Sequence, residues 1–197
     1  MPTSAATRRL RQKSPAPRVL KKPGRVDAPR YAAVLGGWTL TLGVSTLIPQ
    51  TDLRWFFLLL HIGMLVVGLG AAVMIEYAGF LWVLGRGTLD EVRMTEGRLS
   101  LLSWIGFCGM LVSGMFLAPD LSQPLTLVKL VAVLIVGLNA VNSRSVMRML
   151  KRIPKRRRFQ DVPQRVQRWC ITSGAISQFA WWTAVVVGTL NTATRGS

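Results

Sequence analysis

Five long apolar runs separated by polar connections set the pattern of this chain. They cover residues 31–48, 55–84, 99–118, 121–141 and 170–190. Each holds about the 18–25 residues that a helix needs to cross a bilayer. The pattern predicts an all-α fold, a bundle of five transmembrane helices. Pro49 stops the first run. The fourth has a less regular start, because Pro124 limits its first turn and Lys129 interrupts its apolar residues.

Within the last four runs, small and polar residues recur every three or four positions and so share one helix face. The second run aligns His61, Met64 or Leu65, Gly68, Ala72, Glu76 and Gly79. The third aligns Ser103, Gly106, Met110 and Ser113. In the fourth the stripe is Lys129, Ala132, Val136, Asn139 and Ser143, and in the fifth Ser173, Ser177, Trp181, Ala184 and Gly188. Such faces pack helix on helix, with close backbones and hydroxyls bonding across. Gly68, Ala72, Gly106, Ser113 and Ser177 are the expected packing points.

Charge fixes the threading. Basic residues crowd residues 1–29 and the connection 143–169, and three arginines lie in the connection between the second and third runs. The alternate connections and the C-terminus carry almost none. Under the positive-inside rule the N-terminus is cytoplasmic, the C-terminus is outside, and the number of spans is odd. Residues 1–29, rich in Pro, Ser, Ala, Arg and Lys, read as a disordered basic tail that anchors topology. The net charge of +17 raises nucleic acid as a partner. No aromatic interleaving or binding fold accompanies the KRIPKRRR stretch, so anionic lipid headgroups are the expected partner of Arg156, Arg157 and Arg158, on a surface helix. A bacterial-type cytoplasmic membrane fits this layout.

Two cysteines without a CxxC and a single histidine exclude a disulfide framework and a structural zinc site. No Ser-His-Asp arrangement, Walker loop or nucleotide fingerprint is present. Chemistry, if any, falls to ionisable groups inside the spans, where they are costly. His61 and Glu76 sit about 22 Å apart along one helix and cannot pair. Lys129 can snorkel outward, and shares the outer half of the membrane with His61. The imidazole suits a metal or haem ligand, with Met64 and Met115 as thioether candidates for copper or a second haem ligand. A histidine merely bonded to a serine or a carbonyl is the plain structural alternative, with no cofactor. The absence of a second histidine excludes a bis-histidine haem.

The order His61-Ile-Gly, Gly68-x-Gly70, Arg98-Leu-Ser100, Trp104-x-Gly106, Ser113-Gly114, Lys129-Leu and Asn139-x-x-Asn142 resembles the membrane domain of copper-resistance proteins of the CopD type. It is also similar to HemJ-type protoporphyrinogen oxidases, in which a His-led and a Lys-led helix recur around haem. The resemblance spans residues 53–145. It implies His61 as metal or haem ligand, with Lys129 and Arg98 as supporting charges; Glu76, read from the span itself, is a further supporting charge. A second expectation, from a different class, is a non-catalytic accessory subunit that packs its small-residue faces in a larger membrane complex or a homo-oligomer.

Overall fold

The computed structural model describes residues 27–48 and 52–195, with side chains through Leu190. Five helices follow one another: α1 (Ala28–Ser45), α2 (Arg54–Val83), α3 (Leu89–Met115), α4 (Pro124–Leu150) and α5 (Gln164–Arg195), with a 3₁₀ turn at Phe159–Asp161 before α5. Four stretches are long and apolar enough to cross a membrane: Arg54–Val83, Leu89–Met115, Pro124–Leu150 and Gln164–Leu190. The chain is therefore a helical multi-pass membrane protein. α1 has 18 residues, but Pro29, Arg30, three glycines and two threonines dilute its hydropathy below that of the other four. Trp55, Leu59, Val66, Phe80, Leu101 and Phe179 stand exposed on the bundle, as lipid-facing side chains do.

Local chemistry sets the helix ends. After Val83 the chain turns through Gly85, whose φ of 72° suits a residue without a Cβ. The Arg86 N–H donates to the Leu81 carbonyl at 2.9 Å and the Gly85 N–H to Trp82 at 3.1 Å, the paired bonds of a Schellman stop. Three residues later Thr88 opens α3 with a capping box. The Glu91 N–H donates to Thr88 Oγ1 at 3.3 Å, and the Thr88 N–H to Glu91 Oε2 at 2.8 Å. Pro124 supplies the first turn of α4, where its missing N–H costs nothing.

α2 packs along α3 and α4 along α5, giving two antiparallel pairs; α1 lies against α3 and α4 and bridges them. The α2–α3 crossing is closest at Gly68 and Gly106, where a Cβ on Gly106 would fall on the Gly68 backbone. Trp181 of α5 reaches this crossing, its ring edge 3.2 Å from the position of a Gly68 Cβ. A Cβ on Gly137 of α4 would meet Phe107 of α3 at 2.5 Å and Val34 of α1 at 2.8 Å, so three helices converge there. The Trp38 indole of α1 donates to the Leu130 carbonyl at 3.1 Å. The core has two centres. One, mid-bundle, joins Val34, Ala72, Phe107, Val136 and Trp181. The other, at the end with the basic connections, joins Trp82, Leu89, Val146, Leu150, Phe159 and Val166.

Several boundaries move. α1 starts at Ala28, so residues 28–29 leave the tail; residues 1–26 lie outside the described residues. α3 begins ten residues before the apolar run it carries, and α4 runs nine residues beyond its own, into the stretch expected to be a connection. Capping and helix propensity, not hydropathy, set these ends. The basic connection is not a surface helix. Residues 151–163 form a loop with the one 3₁₀ turn, and Phe159 and Val162 are buried in the core beneath. The Phe159 ring meets Trp82 edge-on at 5.0 Å, and the Trp82 indole donates to the Arg157 carbonyl at 3.0 Å.

Candidate functional site

His61 lies on α2 about 10 Å along the helix from Arg54, near the end of the bundle away from the basic connections. Its Nδ1 is 3.0 Å from Ser113 Oγ of α3, which is wholly buried. Ser113 also lies 2.6 Å from the Gly109 carbonyl, and its single hydroxyl proton goes there. The ring also bonds the Met110 backbone, and the tautomer decides the roles: with the proton on Nδ1, facing Ser113, Nε2 keeps its lone pair. Gly114 leaves room beside the ring: a Cβ there would stand 3.5 Å from His61 Cε1. Lys129 of α4 is near enough for its charge to act on His61, and its stem passes Gly188 of α5 at 3.7 Å from a Cβ position.

Glu76 lies about 22 Å further along α2. Its carboxylate accepts from the Gln178 amide of α5, and Gln178 Oε1 accepts in turn from the Trp182 indole at 2.9 Å, which fixes the amide's orientation. Ser177 also bonds this carboxylate. Glu76, Ser177 and Gln178 line a cavity of about 720 Å³ between the two helix pairs, at the basic end. Nearby, Asn139 of α4 donates to the Ser173 carbonyl of α5 at 2.8 Å, and Ser143 meets Ser173 Oγ at 2.9 Å. These bonds join α4 to α5 where the stripes meet.

No family model, curated protein or solved structure matches this chain. Its chemistry rests on its own geometry.

The structure brings His61, Ser113 and Lys129 together and separates the other expected ligands. Met64 is spent on packing: a Cβ on Gly109 would lie 2.6 Å from its sulfur, so the thioether fills the notch that this glycine leaves. Met115 follows Ser113 by two residues, about 200° round α3, and does not share the face that meets His61. Arg98 is exposed near the start of α3, about 22 Å along that helix from Ser113, and does not support His61. Glu76 serves the other end. Gly68, Ala72, Gly106 and Ser113 are buried between helices, whereas Ser177 faces the cavity. Arg156, Arg157 and Arg158 are exposed. Among the described residues no group of three His, Cys, Asp or Glu side chains could hold a metal ion. A bound haem would be held by the His61 imidazole, with the Ser113 hydroxyl beside its Nδ1.

Sequence reasoning missed three polar contacts at the basic end. Asp27, assigned to the tail, is 1% exposed and accepts from Ser145 at 2.6 Å, from Arg30 at 2.9 Å and from Arg148. These bonds, led by Ser145 and Arg148, hold its carboxyl down at about 2. An Asp just before an Ala-Pro helix start was the available signal. Arg93 donates to the Leu150 carbonyl and, at 2.6 Å, to the Ile153 carbonyl, closing the exposed end of α4. Gln178 was the unrecognised partner of Glu76.

Proposed function

We propose that the chain threads the cytoplasmic membrane of a bacterial-type cell five times, N-terminus inside, and holds haem through Nε2 of His61 in the outer half of the bundle. The observation that carries this reading is the Ser113 hydroxyl 3.0 Å from His61 Nδ1; the tautomer with Nδ1–H toward that hydroxyl presents the opposite nitrogen as a lone-pair donor. Bound iron would supply one-electron chemistry at that nitrogen. The chain's own part is to orient the ring. Gly109 accepts the Ser113 proton, Ser113 accepts the Nδ1 proton, and Gly114 keeps one edge of the imidazole uncrowded. Lys129 adds positive charge, which suits an acidic substituent on the ligand. The likeness to CopD and HemJ types supports the same residue through the His61-Ile-Gly and Lys129-Leu motifs alone.

The test is the visible spectrum and the iron and copper content of the protein purified in mild detergent. The expected result is a Soret band with about one iron per chain, lost in His61→Ala. In Ser113→Ala the ring loses its orienting partner, and haem retention falls by about 10–100-fold, the usual cost of an outer-shell hydrogen bond. A colourless, metal-free protein that comes off the column with another membrane protein overturns the reading in favour of an accessory subunit.

A further inference from the structure

The cavity that holds Glu76 has a second feature unrelated to His61. Its walls are apolar (Ala72, Val83, Phe107, Val136 and Trp181 among them), and about 720 Å³ lies within the roughly 300–1,000 Å³ of small-ligand sites. A smaller pocket of about 190 Å³ adjoins it, lined by Arg30, Glu96, Arg144, Met147, Arg148 and Lys151. Glu96, Arg144 and Met147 line both, so the apolar space opens directly onto a basic rim.

The charges at this rim do not cancel. Arg30 and Arg148 share the one carboxylate of Asp27, and Lys151 stands 3.6 Å from Glu96. Arg144 makes no ion pair among the described residues; its guanidinium lies over the Trp104 ring at 5.3 Å from the centroid. That stacking holds the planar fork in place without using up its N–H donors. Glu96 Oε2 is buried and makes no hydrogen bond; its neighbouring cation, Lys151 Nζ, stands at 3.6 Å, beyond hydrogen-bond distance. A ligand seated here meets a fixed guanidinium, a surplus of positive charge and one acceptor in need of a donor, above an oily chamber inside the membrane.

We propose that this combined cavity binds an anionic phospholipid with a hydroxylated headgroup, of the phosphatidylglycerol class. The phosphate takes the Arg144 fork, with Arg148 and Lys151 beside it. A headgroup hydroxyl donates to Glu96 Oε2. One acyl chain fills the space between the helix pairs, down to the Glu76–Gln178 pair. Charge complementarity selects the phosphate, and the apolar chamber selects an amphiphile over a free anion.

The experiment uses the full chain, delipidated in maltoside detergent, with native mass spectrometry and thermal unfolding as readouts. Phosphatidylglycerol, phosphatidate, phosphatidylcholine, glycerol 3-phosphate and inorganic phosphate are added separately. The expected result is one phosphatidylglycerol retained per chain and a higher melting temperature, with no such effect from phosphatidylcholine or from the two water-soluble phosphates. Arg144→Ala weakens retention by about tenfold or more, the worth of a charge-assisted hydrogen bond. Glu96→Gln removes the preference for phosphatidylglycerol over phosphatidate while phosphatidate still binds. The triple change Arg156→Ala, Arg157→Ala and Arg158→Ala, on the exposed loop, leaves the retained lipid in place. Equal retention of phosphatidylcholine, full retention in Arg144→Ala, or loss in the loop variant each overturns the proposal. Protection by inorganic phosphate alone reduces the rim to a simple anion site and overturns it as well.

Discussion

Asp27 illustrates how much one side chain can fix at the residue scale. Composition assigns it to a tail with almost nothing to bury, yet its carboxylate accepts from three side chains. Three donors hold it ionised down to about pH 2, against 3.8 for a free aspartate. Its folded-state pKa is depressed, so its stabilising contribution is fully present above about pH 4. That contribution is lost as pH falls from there through 2. Asp27→Ala removes the acceptor for Ser145 and Arg148 and is expected to cost about 1.5–3 kcal/mol, the range for hydrogen bonds to charged groups. Thermal unfolding in detergent at pH 7 reads that loss. Between pH 5 and pH 2 the melting temperature of the parent protein should fall further than that of the variant. Equal slopes would show that Asp27 titrates alike in the folded and unfolded chain.

Among the elements, the α2–α3 pair depends on glycine at the Gly68–Gly106 backbone crossing and at Gly109, which makes room for Met64. Gly106 permits backbone contact with Gly68, whereas a Cβ on Gly70, Gly79 or Gly63 would meet nothing within 4 Å. Gly106→Leu should therefore lower stability by about 1–3 kcal/mol through overpacking, with part of the pair forced apart. Gly70→Ala should change the melting temperature little. Similar losses in both would place the sensitivity in helix propensity rather than in the crossing. The positions of the helices were legible from apolar runs, and their inward faces from three-and-four spacing. Their ends were less so. A hydropathy window registers the hydrocarbon layer and stops there, while α3 begins at a capping box ten residues earlier and α4 persists to an Arg93 clamp nine residues later. The contact between His61 and Ser113 was only half legible. Both stand on stripes at the same end of the bundle, but no spacing rule says which hydroxyl on a neighbouring helix meets the ring. The Glu76–Gln178 bond escaped for the same reason: Gln178 adjoins a stripe position without being one.

For the whole molecule, the alternation of basic and non-basic connections predicts a fluorescent reporter that folds and shines at the N-terminus. The same reporter exported at the C-terminus should stay dark. Light from the C-terminal fusion would mean an even number of crossings, with α1 lying outside the count. The loop after α4 bears on behaviour that has nothing to do with membranes or ligands. Lys155 through Arg158 form the densest run of trypsin sites in the described chain, and all four side chains are exposed. The backbone between them is another matter, because the Trp82 indole holds the Arg157 carbonyl and Phe159 is sunk in the floor of the bundle. A protease must draw several residues into an extended strand before it can cut. Here that means prying loose an aromatic plug first, so digestion at these arginines becomes a clock for opening of the bundle's base.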